Sequence, residues 1–489
     1  MPAKSIWEPG PTSSVSGNAH PVKLAFTETW QQCENRVIGY GDPAAGHKQS
    51  QSRGRLEMYR LPWASWRLWK RNRPTPRRRV RLGIDYGVST SKIVFRNCDP
   101  SGGASCVLVL YNGSARIPSR VCATATALLF GHDHDTLPAT ACDSYESLKM
   151  RVAAEVTSNP AYHVGGTTKL PEGFSAADLA ALTVWFLISK GHQAVAAQFK
   201  EHMDGVELDM KMGVPMDFLN DKELRSTFLG IARRAWSFYC HEGLLDSEVS
   251  IEQARRLLEK HPLVLSPLPE EEARKWIRCE GEAALWLVLH SPSVGIGPYA
   301  RVDVGAGTTH TNLFRIFGKL QTIKRSLAPF GAAAVPVGMD KVNRAIAECQ
   351  ALKGDFVMLR GSESAILQAN AKIREALFAV SDQIYDSYRK AWEQAYTKLS
   401  SNSLELIAWR QHKVVITGGG SLVPFLVDTI RMHPDERAPL PVLTLEQPTS
   451  FVRADGRNFT NEDLQFSGVA YGLSQTEFFL PNPYCRDSV

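Results

Sequence analysis

The sequence predicts an α/β protein made of two related halves that follow a basic leader. Each half opens with short β-rich runs separated by turn residues, at residues 80–85 and 92–96 and again at 299–304 and 311–317. Helical stretches follow the strands in both halves. With 489 residues, of which 44% are hydrophobic, the chain is long enough for two or more domains.

The leader, residues 1–79, lacks sustained periodicity and is rich in Gly, Pro, Ser and Gln, which predicts a mostly flexible segment. Residues 1–81 contain 15 Lys and Arg against 5 Asp and Glu, or +10, whereas the whole chain carries +6. The leader's Trp63, Trp66 and Trp69 alternate with cations, so they could contact nucleic acid or an anionic membrane. We favour docking on the folded body, because nearby prolines limit any long helix.

Composition excludes several classes of protein. No run of eighteen apolar residues occurs, so no spanning helix is expected. The amino terminus has no apolar run typical of a secretory signal. Nine scattered cysteines, never spaced C-x-x-C, favour reduced thiols over disulfides or zinc. We therefore expect a cytoplasmic protein.

One pattern, Asp-x-Gly-x-x-Thr between two strands, occurs twice, at residues 85–90 and 303–308. A turn of small residues exposes backbone N–H groups that can bind an anion. Hydroxyl groups beside the turns can add donors to a phosphate, namely those of Ser89, Thr90, Thr308 and Thr309. A carboxylate next to that phosphate is favourable only when a cation such as Mg²⁺ lies between them. Either copy alone could be a plain hairpin turn, but the repetition predicts a polyphosphate site between facing turns.

These segments resemble a known family. GIDYGVSTSKIVFR (residues 83–96) and RVDVGAGTTHTNLF (301–314) are similar to the two phosphate hairpins of the seventy-kilodalton heat-shock chaperone ATPases, members of the actin-like ATPase superfamily. KVVITGGGSLVPFL (413–426) resembles their adenosine motif. Shorter matches follow in the family's order, namely ARIPSRV, YESLKMRV, GVPMDF, CEGEAAL and GVAYGL. The resemblance covers about residues 81–476.

The resemblance implies a two-lobed actin-like ATPase with duplicated ribonuclease-H-like lobes. It divides the chain into four parts. The leader is residues 1–79, and the first lobe, with an inserted helical subdomain, is residues 80–298. The second lobe, with its own helical subdomain, is residues 299–465, and a returning helix with a tail that packs on the first lobe is residues 466–489. The expected function is slow, Mg²⁺-dependent ATP hydrolysis that switches conformation for an unidentified protein partner. Only 17 residues follow Gly472, so we expect no peptide-binding domain of the chaperone type.

The resemblance also assigns roles to residues. Lys149 matches the lysine that orients the attacking water, and Glu280, Asp303 and Thr308 match the other polar groups at the γ-phosphate. Asp85 and Asp303 would hold Mg²⁺ through waters. ATP or ADP would contact Asp85, Gly87, Val88, Ser89, Gly305, Ala306, Gly307 and Thr308, with Gly418 and Gly419 on the nucleoside side. Taken alone, Lys149 and Glu280 also fit solvated helix residues.

Three positions depart from the family's pattern. Val88 stands in place of a threonine hydroxyl, His310 in place of a second aspartate, and Leu422 in place of an arginine that stacks on adenine. Lys372 and Arg374 are candidates for the basic pair that clamps the base. These changes predict weaker or altered base recognition and slow hydrolysis.

Other functions stay open at this point. The chain could be an actin-like subunit whose ATP controls polymerisation, or a non-catalytic scaffold with a decayed site. A small-molecule kinase of the same superfamily is a further alternative, although the segment around Lys149 favours the chaperone-like branch.

Overall fold

The computed structural model describes an α/β protein with strands in three sheets. All described residues belong to the larger of two compact units, Arg60–Val489. The described residues are 78–99, 105–132, 143–159, 162, 168–199, 206–265, 270–318, 326–348, 371–400, 403–435 and 438–475. The predicted leader thus lies outside them, except that Arg78 and Arg79 form the start of the first strand.

The strands are β1 (Arg78–Asp85), β2 (Thr90–Asn97), β3 (Cys106–Leu108), β4 (Ile117–Pro118), β5 (Val121–Ala123), β6 (Ala127–Phe130), β7 (Asp143–Tyr145), β8 (Val206–Val214), β9 (Glu248–Ser250), β10 (Ile277–Cys279), β11 (Gly297–Val304), β12 (Thr309–Phe317), β13 (Ser326–Val335), β14 (Lys413–Thr417) and β15 (Phe451–Arg453). The α-helices are α1 (Leu148–Thr157), α2 (Ala176–Phe199), α3 (Met216–Asn220), α4 (Lys222–Glu242), α5 (Ile251–Lys260), α6 (Glu270–Ala273), α7 (Glu280–His290), α8 (Asp340–Glu348), α9 (Ala371–Leu399), α10 (Ser403–Trp409), α11 (Pro424–Ile430) and α12 (Asn461–Ser474). A short 3₁₀ helix spans Gly419–Leu422.

Two of the sheets, which contain the longest strands and are called the large sheets, share one strand arrangement. In the first sheet the order is β10-β8-β1-β2-β3-β15, where β1 to β3 are antiparallel neighbours and β8 pairs parallel with β1. In the second the order is β13-β12-β11-β14, again with three antiparallel strands and then a parallel one. The sequence repeat therefore corresponds to a repeat of strand topology. A third sheet has the order β7-β5-β6-β9.

Strands β1 and β14 are almost wholly buried toward their carboxyl ends, as expected when both faces of a sheet are covered. Leu82 and Ile84 of β1 are fully buried, and so are Val414 and Val415 of β14. Helix α9 approaches the second sheet so closely that a Cβ on Gly331 would lie 2.0 Å from the Ala391 carbonyl oxygen. Each large sheet thus packs against its own apolar core, and this packing holds the ends of its strands in position.

Helices α7 and α12 join the two sheets. Helix α12 begins with a capping box between Thr460 and Asp463. It lies against β1, where a Cβ on Gly83 would be 2.2 Å from the Ala470 carbonyl oxygen. A separate apolar cluster contains residues of both sheets, including Val94 and Phe314, together with residues of α7 and α12. This packing sets how the ends of β1 and β11 face each other.

A buried carboxyl group in the first turn of α7 predicts a pH effect on stability. Burial raises the pKa of Glu282 to about 7, although Arg278 opposes the shift. The unfolded-state pKa is about 4.3, so stability is complete below that value and is lost as pH rises through about 7. We expect the unfolding free energy of the wild type to fall by about 2–3 kcal/mol more than that of Glu282→Gln between about pH 5 and pH 8.

Urea denaturation of both proteins at each pH measures this difference. Equal pH dependence in the two proteins would show that Glu282 ionises normally in the folded state.

Two helix boundaries predicted from the sequence are wrong. The residue pattern predicts a helix over residues 143–154, but β7 pairs with β5 and α1 begins only at Leu148, after Ser147 in the left-handed conformation. The pattern also predicts a helix over residues 276–290, but β10 pairs with β8 and α7 begins at Glu280. In both segments, pairing with a strand distant in sequence outweighs local helix propensity.

The charged residues 240–276 predict an irregular stretch, but the structure has β9, α5 and α6 there. The side chain of Ser250 caps α5 by accepting from the Gln253 amide. The sequence also predicts a strand at residues 319–325, which lie outside the described residues. The strand that pairs with β12 on its other side is β13. Among the described residues, none of the helices is long and apolar enough to cross a bilayer.

Candidate functional site

The structure brings the two repeated turns into contact. Turn 1 (residues 86–89) joins β1 to β2, and turn 2 (residues 305–308) joins β11 to β12. A Cβ on Gly307 would lie 3.0 Å and 3.2 Å from the methyl carbons of Val88. Ala306 packs against the core of the first sheet. The two turns therefore touch at Val88 and Gly307, and the region around this contact is the inter-turn site.

Glycine is required in both turns by close approaches within the backbone. A Cβ on Gly87 would lie 2.1 Å from the Thr90 carbonyl oxygen, and one on Gly305 would lie 2.9 Å from that of Thr308. The Gly305 amide donates to the Thr308 carbonyl at 2.9 Å, which closes turn 2. These contacts give a physical reason for the glycine that the two copies share.

The carbonyl groups of turn 2 are held by the start of α8. The amides of Met339 and Asp340 donate to the carbonyls of Gly305 and Ala306 at 3.0 Å and 2.8 Å. In contrast, the amides of Val88, Ala306 and Gly307 donate to no protein acceptor within the described part of the chain. Both turns thus keep backbone donors available for an anion.

Asp340 is a site residue that sequence reasoning missed. Its Oδ1 accepts from the Ser89 hydroxyl at 2.8 Å, so it links the second sheet's helix α8 to turn 1. Burial raises the pKa of this carboxyl group, while the Ser89 hydrogen bond lowers it. No local pattern marks Asp340, since its partner lies 251 positions earlier in the chain.

Lys149 and Glu280 form a buried ion pair beside turn 1. The Lys149 ammonium group donates to the Tyr86 carbonyl at 2.7 Å and to Glu280 Oε1. Glu280 Oε2 lies 3.9 Å from Nε2 of His310, in the second hairpin. Burial lowers the pKa of His310, so that its imidazole is neutral near pH 7. Predicted residues of both hairpins and of α1 and α7 are thereby brought together.

The aspartates that begin the two repeats lie near each other but differ in their electrostatic environment. Burial raises the pKa of Asp85, and the charges of Glu280 and Asp303 raise it further against Lys92. Burial also acts to raise the pKa of Asp303, but the charge of Arg301 outweighs it, and the net shift is downward. Asp303 Oδ1 also accepts from the Thr417 hydroxyl at 3.0 Å.

The glycine pair predicted for the nucleoside side lies next to Asp303. Gly418 has a φ of 81°, and a Cβ there would lie 2.7 Å from Asp303 Oδ1. At Gly419 a Cβ would lie 3.6 Å from the ring of Phe466 on α12. The Arg116 guanidinium and the Lys92 ammonium lie 5.1 Å and 5.7 Å from the centre of that ring. Sequence reasoning missed this half-buried ring, which continues the site beyond the glycine pair.

The positions that depart from the family pattern lie as follows. Val88 and His310 are buried, and Leu422 is half-buried at the end of the 3₁₀ helix. Lys372 and Arg374 lie in the first turn of α9. Thr308 is half-buried at the end of turn 2. The role of these α9 cations as a clamp on the base stays a prediction.

The residues present fit a hydrated magnesium ion poorly. Asp85 is paired with Lys92, and Asp303 with Arg301, so both predicted ligands already have a cation. His310, neutral near pH 7, stands at the position of the second aspartate. Within the described ranges, groups of three or more His, Cys, Asp or Glu that could hold a metal do not occur. Each predicted ligand is thus already paired with a positive charge of the protein.

A separate surface pocket of about 440 Å³ lies in the second half. It is lined by Trp392, Glu393, Tyr396, Thr397, Leu406, Arg410, His433 and Asp435. None of these residues was predicted as a site residue, and none belongs to the inter-turn site. The convergence of predicted groups, rather than pocket size, therefore identifies the candidate site.

Comparison with known proteins leaves the family open. No protein-family model matches the chain, and no curated protein sequence matches it. The similarity to the heat-shock chaperone ATPases rests on the motifs and stays a prediction.

Proposed function

We propose that the chain binds ATP in the inter-turn site, within a two-lobed actin-like fold of two ribonuclease-H-like halves. The observation that carries this proposal is the contact between the two glycine turns, whose amides at Val88, Ala306 and Gly307 have no protein acceptor in the described ranges. Facing turns with free amides suit a polyphosphate, because its oxygens can accept from both sides. The repeated strand topology of the two sheets supports the same fold.

The nucleoside would lie beyond the phosphates, over Gly418 and Gly419. The absence of a side chain at these positions lets a ligand approach the backbone next to Asp303. Phe466 offers an aromatic face at the same place, where the family's stacking arginine is replaced by Leu422. Stacking on an aromatic ring contributes about 1–3 kcal/mol per base, so this ring can offset part of that loss.

Slow hydrolysis is the activity that the polar groups support. Lys149 is fixed by Tyr86 and Glu280, and a fixed ammonium group can orient a water molecule and neutralise developing charge. Two features work against a fast reaction. Val88 brings no hydroxyl to the phosphate, and the neutral His310 brings no negative charge.

The arrangement also supports a conformational switch. The Ser89 to Asp340 hydrogen bond and the Val88 to Gly307 contact join the two halves directly at the site. A triphosphate bound between the turns would compete with these contacts and change how the halves meet. A partner protein that binds one arrangement better would read out the nucleotide state.

Calorimetric titration of the full chain with ATP, with and without Mg²⁺, tests the proposal. Gly307→Val should weaken binding by at least about tenfold, because the side chain would enter the gap beside Val88. Gly468→Ala is the control, since its Cβ would meet nothing closer than 3.4 Å. Absence of ATP binding by the folded wild type under both conditions would refute the proposal. Phosphate release then decides between a slow ATPase and a nucleotide-binding scaffold.

A further inference from the structure

The charged groups around the inter-turn site form three separate pairs. Lys92 Nζ lies 3.4 Å from Asp85 Oδ2, and Arg301 Nη2 lies 2.8 Å from Asp303 Oδ2. The third pair is Lys149 with Glu280. All six side chains are at least four-fifths buried. Each carboxylate therefore has its own cation supplied by the protein.

Two of these cations come from positions next to the repeated motif. Lys92 lies opposite Asp85 in the pairing of β1 with β2. Arg301 precedes Asp303 by two residues in β11, so both side chains project from the same face of that strand. Strand β11 thus carries both Asp303 and its cation, whereas the cation of Asp85 comes from β2, the strand paired with β1.

Because each aspartate is paired with a protein cation, the site has less need of a metal ion to reduce repulsion between the aspartates and a triphosphate. Bare aspartates beside a triphosphate would repel it, and a divalent cation is the usual remedy. Here Lys92 and Arg301 already neutralise Asp85 and Asp303. Adding a further cation between the aspartates would place it close to two buried positive groups, which is unfavourable at such distances.

Three buried N–H donors near these pairs have no hydrogen-bond acceptor in the described part of the chain. Nε and Nη1 of Arg301 are buried and have no hydrogen-bond partner in the part of the chain that is described, and neither does Nδ2 of Asn312. Asn312 lies opposite Arg301 in the pairing of β11 with β12. These nitrogen atoms are donors in every protonation state that occurs near pH 7. A ligand that satisfies them must bring acceptor oxygens, as phosphate does.

We infer that the inter-turn site binds a nucleoside triphosphate without a divalent cation, with Lys92 and Arg301 in place of the metal charge. This inference rests on the proposed function, but it names a form of the ligand that the sequence resemblance does not imply. The metal-free triphosphate is the ligand, and the two protein cations compensate the aspartates beside it.

The test is calorimetric titration of the full chain with ATP in excess EDTA and again in excess Mg²⁺. We expect affinities that agree within about threefold. Binding seen only with Mg²⁺ would overturn the inference and leave the proposed function standing. Absence of binding in both buffers would overturn both.

Lys92→Met sharpens the test, because methionine keeps most of the side-chain volume and leaves Asp85 without its cation. Affinity in EDTA should fall by at least about tenfold, and Mg²⁺ should restore part of it. Lys413→Met, on an exposed lysine at the start of β14, is the matched control and should bind as the wild type does. If Lys92→Met binds ATP in EDTA as well as the wild type does, Lys92 has no such role. Thermal unfolding of each variant confirms that it is folded.

Discussion

Replacing Gly472 with alanine is expected to lower the free energy of unfolding by about 3 kcal/mol or more, because the added methyl group has no space. A Cβ at this position would lie 1.7 Å from the carbonyl oxygen of Ala283 and 2.4 Å from its carbonyl carbon. These are backbone atoms of α7, so relief requires that α12 and α7 move apart. Urea denaturation measures the loss.

Gly468→Ala is the matched control on the same helix. Its Cβ would meet Leu287 at 3.4 Å and Ala284 at 4.0 Å, which is ordinary contact. Alanine is also the better helix former by about 1 kcal/mol, so this variant should be neutral or slightly more stable. If the two variants lose equal stability, the close packing of α12 on α7 at Gly472 is wrong.

The second large effect concerns the buried pair beside turn 1. Lys149→Met should cost about 3–5 kcal/mol of stability, because it leaves the Glu280 carboxylate buried without a cation. The double variant Lys149→Met with Glu280→Gln removes both charges and should recover most of that loss. Denaturation of the two single variants and the double variant gives the coupling energy between the residues.

The same variants separate stability from function. If Lys149 orients the attacking water, the double variant should fold and bind ATP but release phosphate more slowly than the wild type, by about a hundredfold or more. A double variant as unstable as the Lys149→Met single variant would show that the pair does not exist. Unchanged phosphate release in a folded double variant would remove Lys149 from the reaction.

The sequence by itself determined the parts of the protein that depend on local chemistry. The α/β class, the strand–turn–strand repeats at Asp85 and Asp303 and the glycine pair at Gly418 could be predicted from turn residues and short apolar runs. Gly87 and Gly305 were identifiable because a turn of a few residues sets its own steric demands.

Only the tertiary structure decided which groups meet. Asp340, Arg301 and Phe466 carry no local signal, and residues 277–279 form a strand because β8 lies beside them. Ser89 and Asp340 are 251 positions apart, and Lys149 and Glu280 are 131 apart. Contacts of this kind depend on how the sheets pack around α7 and α12, which local propensity does not specify. The pairing of Asp85 with Lys92 and of Asp303 with Arg301 is likewise visible only in the folded chain.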